Sequence, residues 1–195
     1  EDGPDGAVYV ADWYDGQLAH TANYQGGIDR DHGRIYRIRS RELTPGGRKS
    51  TRVDLAKATS ADLVALLHHP NRWQRHEAVV QIGQRGDDPA LAATLAGLLA
   101  DQSRPHAVET LWALAAAGGL DEERVSAAVH HPRPEVRGWA WRLWFDHHDR
   151  VDGPLADALL AAAQSEQDAG VLCQIASSTR RIASAARALE LVRPV

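Results

Sequence analysis

From about residue 59 onward, apolar residues recur three and four positions apart, the spacing that lines one face of an α-helix. Leu63, Leu66 and Leu67 open the series, followed by Ala78, Val79 and Ile82, by Leu91, Leu95, Leu98 and Leu99, and by Val108, Leu111, Trp112 and Leu114. Val125, Ala128 and Val129 come next, then Val136, Ala140, Leu143 and Trp144, a stretch at 154–163, and Val171, Leu172 and Ile175. Helix punctuation falls between these stripes. Thr59-Ser-Ala-Asp62 has the form of a capping box, and His69-Pro70-Asn71 breaks the first helix. Gly83 or Gly86 ends the second, Asp88-Pro89 caps and opens the third, and Pro105 opens the fourth. Gly118-Gly119 stops that one, Asp121 with Glu122 and Glu123 starts the fifth, His131-Pro132 breaks it, and Pro134 starts the sixth. Residues 165–168 cap an eighth helix, and residues 180–192 begin a further pair.

The first forty residues follow a different period. Asp2-Gly3 and Pro4-Asp5-Gly6 are turn residues. Val8 and Val10 alternate with Tyr9 and Ala11, which predicts a strand over 7–12 with both faces partly covered. A long polar loop over 15–31 carries His20, Asn23, Gly26, Gly27, Asp29 and Arg30, and a second strand over 35–40 places Tyr36 and Ile38 on one face. Two strands alone are marginal in water, so they are expected to need partners upstream of Glu1 or in another molecule. The chain starts at Glu1 and contains no Met, which reads as an internal or C-terminal fragment of a longer protein. The expected organisation is a β segment over 1–41, a breaker-rich linker over 42–59 and helical repeats over 60–195. Within the linker, Val53 and Leu55 are expected either to extend or to pack on the first helix.

An internal repeat ties the helices together. His68-His69-Pro70 recurs as His130-His131-Pro132, 62 residues later, and each Pro is followed five residues on by an arginine, Arg75 and Arg137. Asp101 precedes His106 by the same five, so the unit is read as 31 residues: helix, break, helix. Such a pair cannot bury its apolar face alone, and the units must stack into an α-solenoid. About four units cover 60–182.

Composition narrows the chemistry. The formal net charge is −4, so no cationic surface points to nucleic acid as a partner. Arg34, Arg37, Arg39, Arg41, Arg48, Lys49 and Arg52 cluster locally, as strand-edge protection. One cysteine, Cys173, excludes an internal disulfide and any CxxC motif; it reads as a small buried hydrophobe on a helix. No apolar run is long enough to span a membrane. Eight of the ten histidines lie in the helical part. The pairs His68-His69, His130-His131 and His147-His148 read as helix-end polar residues, since neighbours on a helix diverge by about 100°. No His-x-x-x-His or His-Glu-x-x-His spacing occurs, nor a phosphate loop, nucleophile elbow or paired-carboxylate motif. Trp112, Trp139, Trp141 and Trp144 fill space between repeats or line a peptide groove, and Trp139 and Trp141 cannot both face inward.

Resemblances to known families follow from these residues. Arg75-His-Glu-Ala78-Val-Val-Gln-Ile82-Gly83 and Glu135-Val-Arg137-Gly-Trp-Ala140 resemble the second half of a HEAT repeat. The His76-Glu77 pair is similar to the iron-binding pair of deoxyhypusine hydroxylases, which carry it on several repeats; here Ala107-Val108 and Gly138-Trp139 stand in the later positions, so that ligand set is absent. Gly3-Pro4-Asp5-Gly6-Ala-Val-Tyr9-Val-Ala11-Asp12-Trp13-Tyr14, with His32-Gly33-Arg34-Ile35-Tyr36-Arg37-Ile38, resembles the last blade of a β-propeller of the glucose/sorbosone-dehydrogenase-like family, the large bacterial putative membrane-bound dehydrogenases. That resemblance implies a mainly α protein, a HEAT-like α-solenoid preceded by the last propeller strands. It implies a periplasmic or otherwise extracytoplasmic parent that oxidises sugars or alcohols with pyrroloquinoline quinone. Partners implied are the rest of the propeller upstream and an electron-accepting cytochrome module with c-type haem, with no cofactor or metal in this fragment. Asp12, Trp13, Tyr14, His20, His32 and Arg34 are then the ligand-binding candidates, near the channel mouth, although no catalytic residue is expected here and one blade cannot make a pocket. The alternative is a non-catalytic scaffold or protein-binding solenoid.

Overall fold

The structure, a computed structural model, describes residues 3–12, 33–38 and 54–192. It is mainly helical, with a short antiparallel sheet at the N-terminal end. Strands β1 (Val8–Asp12) and β2 (Arg34–Ile38) pair with Val8 opposite Ile38, Val10 opposite Tyr36 and Asp12 opposite Arg34. A 3-10 turn at Leu55–Lys57 buries Leu55 and leads into the helices. These are α1 (Ser60–Leu66), α2 (Arg72–Arg85), α3 (Pro89–Ala100), α4 (Ala107–Ala116), α5 (Glu122–Ala128), α6 (Pro134–His147), α7 (Gly153–Ser165), α8 (Ala169–Thr179) and α9 (Ala185–Val192).

Side-chain caps set the helix starts. Thr59 and Asp62 form the expected capping box: the Asp62 amide donates to Thr59 Oγ1 at 3.1 Å and the Thr59 amide donates to Asp62 Oδ2 at 2.9 Å. Asn71, Asp88, Asp121 and Asp168 accept the first free amides of α2, α3, α5 and α8. Gly86 closes α2 at φ +78°, a conformation that costs glycine little.

The second helix of each pair forms one layer, with α2 against α4, α4 against α6 and α6 against α8. The first helices pack on them: α1 on α2, α3 on α4, and α5 on both α6 and α7. One continuous apolar core runs from Leu63 to Leu191. Trp141 and Phe145 are fully buried in it, with stacked rings at a centroid distance of 5.9 Å. Trp139, two residues from Trp141, stays half-buried, as their divergence on a helix requires.

Four readings of the sequence change. Helix α4 does not open at Pro105; it begins at Ala107, and His106 is its N-cap in a left-handed backbone conformation at φ +61°. Helix α6 therefore starts 62 residues after α2 (Arg72 to Pro134), but α4 starts 35 after it (Arg72 to Ala107), and the 31-residue unit is not kept through the middle pair. Cys173 is exposed, because α8 turns Val171 and Ile175 inward and leaves the intervening face to solvent. Val8 and Val10 are not covered: they are 42% and 43% exposed, since β2 is their sole neighbour among the described residues.

Packing is close just after the end of α4. A Cβ on Gly119 would stand 2.5 Å from the Ala92 Cβ and 2.7 Å from Leu114 Cδ1. Gly119→Ala is therefore expected to lower the stability of the folded chain by about 1–3 kcal/mol, read as a reduced urea midpoint with an unchanged slope. A midpoint equal to that of the unaltered chain would contradict the packing.

Candidate functional site

The N-terminal turn is built around Asp5. Its carboxylate accepts the Ala7 amide at 3.1 Å and pairs with the Arg37 guanidinium of β2, so one side chain closes the turn and holds the two strands together. The Gly3 amide donates to Ala7 O at 2.8 Å, and Gly6 takes φ +74°. At position 3 an added Cβ would lie 2.2 Å from the Tyr9 ring, so the ring would have to move to admit any larger residue. Helix α2 then grips this turn. Asn71 Nδ2 donates to Gly3 O at 2.9 Å, and Gln74 Nε2 donates to Pro4 O at 3.4 Å. Nothing in the sequence pointed to Asn71 and Gln74, which lie 68 and 70 residues from their partners.

Of the six ligand-binding candidates, Asp12 and Arg34 are described. They stand opposite each other in the strand register at one end of the hairpin, on the same face as Val8, Val10, Tyr36 and Ile38. Directly opposed side chains on a sheet face are neighbours. Trp13, Tyr14, His20 and His32 lie outside the described residues. Two side chains at one end of a strand pair do not enclose a tricyclic quinone, so the described residues do not by themselves fit that cofactor. Among the described residues, no three His, Cys, Asp or Glu side chains converge as metal ligands would.

The helical joints carry the repeated polar residues. Arg75 Nη1 donates to His69 O at 2.9 Å and Pro70 O at 3.1 Å, and Arg137 Nη1 donates to His131 O at 3.0 Å and Pro132 O at 3.1 Å. Each arginine thereby caps the carbonyls that the His-Pro break frees. Each also reaches one pair further along the stack: Arg75 Nε to Glu109 Oε1 and Arg137 Nε to Glu166 Oε2, both at 2.7 Å, with a second Arg137–Glu166 bond at 2.8 Å. Hydrogen bonding from Arg137, helped by the Asp168 and Gln167 amides, brings the Glu166 carboxyl down to about 2, and Glu166 in turn raises the Arg137 guanidinium. The Glu166 side chain is 5% exposed. The paired histidines are turn residues as expected: His130 Nδ1 meets Ser126 O, and His148 Nδ1 meets Trp144 O while its ring stacks on Trp144 at 3.8 Å.

Between α6 and α8 lies a cleft of about 370 Å³, lined by Glu135, Gly138, Trp139, Arg142, Asp168 and Gln174 among others. Trp139 meets Trp112 edge to face at 4.8 Å, and the Arg142 guanidinium lies 5.0 Å from the Trp139 ring. His76, in the pair weighed as an iron ligand, is exposed, and Glu77 accepts a hydrogen bond from Gln81 at 3.0 Å.

Residues 1–42 match the model of a family described as a domain of unknown function (DUF7133). No curated protein and no solved structure matches the chain. Among the described residues, no helix is long and apolar enough to cross a membrane.

Two outcomes follow from this geometry. Asp5→Ala is expected to release the hairpin, raising amide exchange in β1 and β2 about tenfold or more while α4 to α8 keep their protection; equal exchange in both proteins would contradict the anchoring role. Glu166→Gln is expected to cost about 3 kcal/mol near neutral pH. The Glu166 carboxyl is held below its ordinary value of 4.5, so its contribution is present above pH 4.5 and is lost as pH falls toward about 2. The stability gap between the two proteins, followed by urea unfolding, should close over that window.

Proposed function

We propose that this chain is the C-terminal part of a larger extracytoplasmic protein of the quinone-dependent sugar or alcohol dehydrogenase-like kind. In this reading the hairpin belongs to a β-propeller blade, and the helices are a HEAT-like solenoid serving as a spacer or docking surface toward an electron-accepting cytochrome module. The observation that carries the reading is the hairpin. It presents Val8, Val10, Tyr36 (46% exposed) and Ile38 (57% exposed) on one uncovered face. A lone two-stranded sheet with such a face is marginal in water and gains stability by adding strands or a covering layer. The family match ends at residue 42, ahead of the helices, which supports a hairpin of separate origin from the stack it is bolted to.

A second reading, a protein-binding scaffold with no redox role, is favoured by the Trp139 cleft, whose mixed aromatic and charged lining suits a peptide.

The full-length parent, supplied with pyrroloquinoline quinone, is expected to reduce a dye in the presence of aldoses or simple alcohols. Failure across a broad panel would sink the dehydrogenase reading and leave the scaffold. The 195-residue chain alone should show no turnover, and any quinone-dependent turnover by it would contradict the view that the pocket lies elsewhere.

A further inference from the structure

His131 sits at the break between α5 and α6 and is 6% exposed. Its Nδ1 accepts the Arg133 amide at 3.1 Å, while its Nε2 is closed off from solvent without a hydrogen-bond partner. An Nδ1 that accepts an amide places the proton of the neutral ring on Nε2. Protonation would set an N–H on Nδ1 against the Arg133 N–H, donor facing donor, and put a charge into a buried site. The charged groups around the ring offer no relief. Arg133 and Arg137 follow it in sequence, and Arg124 of α5 lines the same small cavity, bound to Gly119 O and Asp121. From the α3 and α4 sides the neighbours are Gln102, Leu99 and Leu114, and His130 is turned to Ser126 O. The carboxylates of Glu135, Glu166 and Asp168 act on Arg137 instead.

We propose that the His131-Pro132 joint is an acid-sensitive hinge: proton uptake at His131 Nδ1 releases the Arg133 amide and loosens the entry into α6, while the Arg137–Glu166 pair keeps α6 tied to the connection between α7 and α8. Burial first, then the Arg133 and Arg137 cations, hold the imidazole below its ordinary value. The folded state thus favours the neutral ring. The hinge is closed above the ordinary histidine value of about 6.5 and weakens as pH falls below it. Glu166 remains ionised far below that range, so the two events fall in separate windows. The chain also contains its own comparison. His69 Nδ1 accepts the Asn71 amide at 3.0 Å in the first joint, in a half-buried setting. The middle joint uses Asp101, whose Oδ1 accepts the Ser103 amide at 3.3 Å, and hydrogen bonding from Ser103 keeps that carboxylate ionised below the usual range.

Residue-resolved amide exchange on the full 195-residue chain at pH 7.5 and 5.0, corrected for intrinsic rates, tests the hinge. Protection at Arg133 and in the first turn of α6 should fall about tenfold, with Ser103 unchanged. His131→Asn supplies a side-chain carbonyl that can accept the amide two residues on and does not titrate; it should hold protection at both pH values. The same loss in the variant, or a loss spread evenly over α4 and α8, would overturn the proposal. Should the variant not fold, an NMR titration of His131 in the unaltered chain decides. A ring titrating below the ordinary range with the Arg133 amide shift following it supports the hinge, and a ring titrating near 6.5 with that amide flat overturns it.

Discussion

Burial between successive helix pairs is the constraint on which the rest of this chain depends. Each pair carries an apolar face that its own two helices do not cover, and α2, α4, α6 and α8 resolve this by lying side by side in one layer. The core is accordingly a continuous strip and not a centre, running from Leu63 to Leu191. A strip of this kind has one consequence for stability: every pair depends mainly on the next, so damage at one joint is felt locally before it is felt everywhere.

The joints are where such a stack is exposed to failure. Each break frees backbone carbonyls near the core and must still direct the next helix back against its predecessor. Arg75 and Arg137 meet both needs at once, capping the carbonyls of a His-Pro break and reaching a glutamate of the following pair. A lysine could not do the same, because the planar guanidinium serves several acceptors in fixed directions. The histidines beside these arginines close the turn with a ring nitrogen, where the middle joint uses a carboxylate. That exchange swaps an imidazole for a carboxylate as the acceptor that closes the turn.

The hairpin obeys a different logic. Side-chain hydrogen bonds tie it down: Asp5 binds β2 through Arg37, and Asn71 and Gln74 at the start of α2 bind the turn through its carbonyls. Its apolar residues Val8, Val10, Tyr36 and Ile38 remain exposed. A sheet hydrogen-bonded to a helical stack, with apolar residues exposed on one face, is suited to joining a larger β structure, which is the arrangement the proposed dehydrogenase-like parent would require.

Much of this was legible in the residues themselves. The helical stripes and the caps at Thr59, Asp88, Asp121 and Asp168 are local, obeying rules that act within one or two turns, and so they appear in the sequence and again in the structure. The His-Pro-Arg repeat was visible for the same reason. The later start of α4 was not, because His106 adopts a left-handed conformation that its residue type does not announce. The exposure of Cys173 turns on which of two adjacent stripes α8 buries against α6. The partners of Arg75 and Arg137, 34 and 29 residues away, and the grip of Asn71 on Gly3, 68 residues away, come from the stacking itself. By itself the sequence determined the helices, most of their ends and the turn ahead of β1, since those depend on near neighbours. Only the tertiary structure decided which polar groups tie one pair to the next and which apolar face stays open, because both depend on where the stack places residues far apart in the chain.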